Sequence, residues 1–207
     1  MTALHSQRTI GRALAIFGAL LLTPDTLFMR LSQLDGFTML LWRGGLSGLA
    51  YLMIWYWMRG PRDLSHIWTG NFAIIVACQT GNAALFSLAI AVAPVTVVLI
   101  GVATVPIFAA ILSRFILGEA LSTRTIVTAA MVFLGLSISV LGSDDGQVKL
   151  DLMTLIGAGL GLGVAFSLAM NFTIIRKDTD VPFVLAIALG AIVAAGLAAF
   201  FVTTLTW

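Results

Sequence analysis

The chain has 207 residues, of which 60% are apolar and only 10% charged, and its mean hydropathy is +1.08. Disorder is excluded because disordered chains lack apolar residues. A soluble globule is excluded because eleven basic and nine acidic residues are too few to cover a surface of this size. The net charge of +2 is spread thinly, with no basic patch for nucleic acid, and the single Cys78 permits neither an internal disulfide nor a cysteine-based metal site.

Charges and turn residues divide the chain into apolar spans. The first is expected from about Ala13 to Leu31. It follows a basic start (His5, Arg8, Arg12) and runs into Pro24-Asp25 without a small-residue cleavage site, so it reads as a retained helix and not as a signal peptide. The second is expected from about Phe37 to Met58. Leu64–Ser113 is fifty residues with no formal charge, too long for one crossing. Ala93-Pro94 breaks it, because proline suits a first helical turn and disfavours helix in the residue before it. Spans at about Gly70–Val92 and Val95–Leu117 result, the latter stopped at Gly118. A fifth reaches about Gly142, a polar loop covers 143–151, and two more run from about Leu152 to Ile175 and from Pro182 to Thr206.

Continuous apolar runs without alternation argue against a β-barrel. The expected fold is therefore all-α, a polytopic membrane bundle of about seven transmembrane helices. Arg8, Arg12, Arg59, Arg62, Arg114, Arg124, Arg176 and Lys177 fall on one side, and only Arg30 and Lys149 on the other. This bias places the amino terminus in the cytoplasm. Trp55, Tyr56, Trp57 and Trp68 then lie at inner helix ends, where interfacial aromatics belong.

An offset of 146 residues aligns the first two spans with the last two: Gly11 meets Gly157, Leu22 Leu168, Arg30 Arg176, Phe37 Phe183 and Gly44 Gly190, while Asp25 meets Asn171. Five helices separate the copies, so the second must run in the opposite direction, as in inverted-repeat transporters. Val105-Pro106-Ile107-Phe108, followed by Ile116-Leu117-Gly118-Glu119-Ala120-Leu121-Ser122, resembles the hallmark of the EamA-like branch of the drug/metabolite transporter superfamily. Leu41-Trp42-Arg43 resembles that family's arginine near the start of its second helix. The resemblance implies two inverted five-helix repeats with both termini cytoplasmic. Here 13–142 would be the first repeat, 143–151 an outer loop and 152–207 the first two helices of an incomplete second repeat. The expectation is a fragment, a truncated gene product or a trimmed form of a ten-helix protein.

Asp25 and Arg43 are ionisable groups in apolar spans, which is costly unless they are paired or used. Asp25 lies about 7.5 Å below its helix end at 1.5 Å per residue, and Arg43 lies at a similar depth. They are read either as an ion pair fixing the hairpin or as contacts for substrate or a coupling proton, with Asp25 snorkelling outward as a third reading. Gln79 and Asn82 share one face of their helix, and Ser167 and Asn171 form a similar pair in the sixth span. These groups serve either as helix–helix glue or as contacts for a polar ligand, and the resemblance favours the latter because the family's cavity is lined in part by these helices. Pro106 is a candidate hinge. Glu119 reads as a helix-end residue capping or pairing with Arg124, and the small-residue faces at Gly44/Gly48, Gly157/Gly161 and Gly190/Ala194 as packing surfaces.

Gly45-Leu46-Ser47-Gly48 resembles an intramembrane serine-protease motif, but neither His5 nor His66 reaches the depth of Ser47, so no enzyme is expected. Lys149 and Lys177 lie in loops, which removes a retinal Schiff base. No nucleotide-binding motif is present, and no cofactor or metal is expected. The expected function is secondary transport of small polar metabolites such as amino acids, as an exporter by family analogy, through alternating access. The alternative is a truncated, non-transporting membrane protein or accessory subunit. Partners are the lipid bilayer, which the resemblance suggests is a bacterial inner membrane, and a small polar metabolite. A homodimer is left open.

Overall fold

The computed structural model describes residues 17–18, 20, 27–29, 31–58, 64, 66–119, 123, 126–128, 130–131, 134–135 and 152–202. Asp25, Arg30, Arg124, Lys149 and the 143–151 loop lie outside them. Contacts divide the chain into two compact units, Met1–Leu34 and Asp35–Trp207. In the first, 27–29 and 31 are helical, and the Ser32 hydroxyl closes that helix by donating to the Met29 carbonyl at 2.8 Å. Gln33 follows in a left-handed conformation (φ 51°).

The second unit holds the bundle. Its elements are α1 (Gly36–Met58), α2 (Gly70–Val92), α3 (Val95–Val102), α4 (Val105–Leu112), a π-helical turn (Ser113–Leu117), α5 (Leu152–Lys177) and α6 (Phe183–Ala199). All regular structure among the described residues is helical. Four stretches, including Val95–Leu117 taken whole, are long and apolar enough to cross a bilayer, and α6 is a shorter apolar helix.

Local chemistry sets several boundaries. Asp35 caps α1: its Oδ2 accepts the N–H groups of Phe37 and Thr38 at 3.1 and 3.0 Å. The Thr38 hydroxyl beside it, then the Thr38 amide, hold the Asp35 carboxyl below its ordinary value, although that hydroxyl makes no hydrogen bond of good geometry. A carboxylate with a lowered folded pKa stabilises the fold above its unfolded value of about 3.8 and loses that contribution as pH falls through the folded value. Asp35→Ala is therefore expected to cost about 1 kcal/mol at neutral pH. The gap in thermal unfolding between wild type and D35A should narrow as pH falls below 3.8 through the lower folded value, and D35N should behave nearly as wild type at neutral pH. Thr69 caps α2 in the same way, accepting from the Phe72 N–H at 3.3 Å.

The expected span at Val95–Leu117 is interrupted. At Ala103–Thr104 the backbone leaves the regular α-helical pattern, and the Thr104 hydroxyl and N–H both donate to the Gly101 carbonyl, at 2.6 and 3.1 Å. Pro106 therefore stands in the first turn of α4, where its missing N–H costs little, and not in the middle of a continuous helix. The π turn ends at Gly118 in the left-handed conformation (φ 69°), a stop that favours glycine.

Packing follows the small-residue faces. A Cβ on Gly44 would lie 2.8 Å from the Ala191 carbonyl oxygen, and one on Gly48 3.1 Å from that of Ala188. Thus α1 and α6, the helices related by the 146-residue offset, run antiparallel with backbones in close approach. Asn71 lies beside Asp178 and Gln79 beside Asn171, so α2 and α5 are antiparallel too. Gly101 meets Gly161 and Phe108 meets Phe166, so the α3–α4 span runs parallel to α5. Phe72, Ile75, Ile174, Val181, Leu185 and Ala186 form a core toward the Arg176 end. Trp55, expected as an interface anchor, packs against that core, whereas Trp57 and Trp68 are 88% and 92% exposed.

Candidate functional site

The sequence places Gln79 and Asn171 on separate spans, and the fold brings them together. Asn171, on α5, is only 4% exposed, and its Nδ2 donates to the Gln79 Oε1 of α2 at 3.4 Å, a long bond. Its Oδ1 is buried with no hydrogen-bond partner. Ser167, one turn earlier on α5, is buried, and its hydroxyl lies 3.5 Å from where a Cβ of Gly81 would sit. Thr80, which sequence reasoning passed over, extends the cluster to α6 by donating to the Gly190 carbonyl at 3.0 Å and to the Val76 carbonyl at 2.9 Å. Gly190 is required there, because a Cβ would lie 2.7 Å from the Gln79 Cβ and 2.8 Å from the Val76 oxygen.

Asn82 is half-buried on α2 and makes no hydrogen bond among the described residues. Two turns beyond Gln79, Phe86 carries the Arg43 guanidinium over its ring, 5.2 Å from the centroid. Gln79, Asn82 and Phe86 form one stripe on α2 (i, i+3, i+7). Asn171 closes one end of the stripe and Arg43 the other. Pairing of Arg43 with Asp25 lies outside the described residues. The chemistry of the stripe is that of hydrogen-bonding amides and one guanidinium, with no acidic group on the described helices.

Glu119 pairs with Arg176 of α5, Oε1 to Nη2 at 2.6 Å, across 57 residues, and the expected partner Arg124 lies outside the described residues. Both side chains are about half exposed. Asn71 Nδ2 donates to Asp178 Oδ2 at 2.8 Å at the same end of the bundle. No local signal in the sequence marks either contact. Two cavities, of about 110 and 370 Å³, flank Trp55 near the α1 end, and Gln79, Asn82 and Asn171 line neither. Among the described residues no His, Cys, Asp or Glu group has the clustering a metal needs.

A helical bundle with membrane-length apolar spans and a half-buried polar stripe is a polytopic membrane protein. A model of the EamA-like transporter family matches residues 9–141, and the chain belongs to that family of drug/metabolite transporters. No curated protein matches significantly. No solved structure does either.

Proposed function

We propose that the protein exports small polar metabolites such as amino acids, by alternating access between its inverted repeats. The observation that carries this reading is the part-buried Gln79–Asn171 contact, which joins α2 to α5 by amides in an apolar span. Buried amides bind polar groups without holding a charge of their own. Arg43, at the other end of the stripe, suits the anionic end of a zwitterion, and Asn171 Oδ1 suits a hydrogen-bond donor. Ser167 and Asn82 complete the proposed lining, and Asp25 is the candidate for a coupling proton. The basic side of the chain, with the amino terminus, faces the cytoplasm of a bacterial inner membrane in this reading.

The test is efflux from proteoliposomes loaded with a panel of amino acids and related zwitterions. Wild-type protein should move at least one of them, and Gln79→Ala should slow that flux about tenfold, the worth of one hydrogen bond to a charged group. Absence of flux across the whole panel would overturn the proposal in favour of a non-transporting membrane protein.

A further inference from the structure

The Val95–Leu117 span is attached to α5 in two different ways. Its first part, α3, is locked. Val97, Val98 and Gly101 are buried, and a Cβ on Gly101 would lie 2.8 Å from the Gly161 backbone carbon. Its second part is less buried. None of the eight residues of α4 is buried, its ring contact with α5 is the edge-to-face pair Phe108–Phe166 at 5.9 Å, and Phe115 beyond it is 82% exposed. At the tip, Arg176 reaches across to Glu119 at 2.6 Å and to the Ser113 hydroxyl at 3.5 Å. The arginine side of this contact is anchored, because Asp178, two residues on, is tied to α2 through Asn71 at 2.8 Å. The glutamate side is carried by the less buried half.

We infer that the half of this span beyond Ala103–Thr104 is a gate leaf that swings on that break, and that Arg176–Glu119 is its latch. Its purpose rests on the transport reading above, but the motion is testable by itself. The break suits a pivot. Thr104 already satisfies the Gly101 carbonyl with its own hydroxyl, and Pro106 has no N–H to strand when the angle changes. A half-exposed ion pair suits a latch, because water can replace each partner and salt weakens it. The tight Gly101–Gly161 contact keeps the other half of the span in place while the leaf moves.

The experiment is pulsed electron–electron distance measurement on the full chain in lipid nanodiscs, in a Cys78→Ala background. One spin-label pair, at Phe115 and Lys177, reports the leaf, and a second, at Leu99 and Leu162, reports the locked half. Glu119→Gln should add a longer-distance population at the first pair and leave the second unchanged. High salt should do the same. Exchanging the charges, Glu119→Arg with Arg176→Glu, should restore the wild-type distribution. An unchanged first pair in E119Q, or a shift of both pairs together, would overturn the gate. Gate motion in a protein that moves no metabolite of the panel would sink the transport reading and leave the latch standing. Flux without gate motion would do the reverse.

Discussion

Gly101→Ala is expected to destabilise the bundle sharply, while Gly159→Ala, a similar change on the facing helix, should be neutral or stabilising. Both glycines lie inside helices, where alanine has the better intrinsic propensity by roughly 1 kcal/mol. Packing decides the sign. A Cβ on Gly101 would lie 2.8, 2.9 and 3.0 Å from the C and Cα of Gly161 and the N of Leu162, all of them backbone atoms. A backbone cannot rotate away as a side chain does, so α3 and α5 must separate. Overpacking of this kind costs about 1–3 kcal/mol, which corresponds to a fall of about 2–12 °C in the unfolding midpoint for a chain of this length. Gly159 has nothing within 4 Å of its Cβ position. The check is thermal unfolding of both variants in the same detergent. Equal midpoints would show that the helices do not approach as described. The reciprocal Gly161→Ala should resemble Gly101→Ala, since its Cβ would lie 2.8 Å from the Val98 carbonyl oxygen.

Features fixed by neighbouring residues were legible in the sequence. The bounds of α2 follow from the polar residues before Gly70 and from Ala93-Pro94 after it, and the structure ends that helix at Val92 as expected. Gly118 was legible as a stop because a left-handed residue there favours glycine. The apolar run of Val95–Leu117 set the length of a span and Pro106 marked a candidate hinge within it, but the position of the break at Ala103–Thr104 was not legible, because the bond from Thr104 to the Gly101 carbonyl leaves no trace in hydropathy. Partners distant in the chain were not legible. An amide in hydrocarbon requires a partner, yet nothing near Gln79 names Asn171. Charge spacing points Glu119 to Arg124, the nearest downstream cation, and gives no hint of Arg176, which topology brings to it from 57 residues away. Thr80 went unnoticed because its bond to Gly190 depends on how α6 lies against α2.

The amide contact admits a sharper test, because its stability and its proposed use make opposite demands. Asn171→Leu keeps much of the side-chain volume but leaves the Gln79 amide without its partner on α5. An interhelical amide bond in a membrane protein is worth about 1–2 kcal/mol at most, so N171L should be destabilised by roughly that amount, and Gln79→Leu similarly. The double variant removes both amides together with the unpartnered Asn171 Oδ1. Replacing both members of a buried polar pair by apolar groups is nearly neutral or stabilising, so its unfolding midpoint should return to that of wild type or exceed it. Such a cycle isolates the coupling between the two residues. If the pair only glues α2 to α5, flux should recover together with stability in the double variant. If the amides meet the metabolite, flux should stay lost in a protein that is as stable as wild type. Unfolding and proteoliposome efflux, measured on the same four proteins, therefore separate a packing role from a binding role.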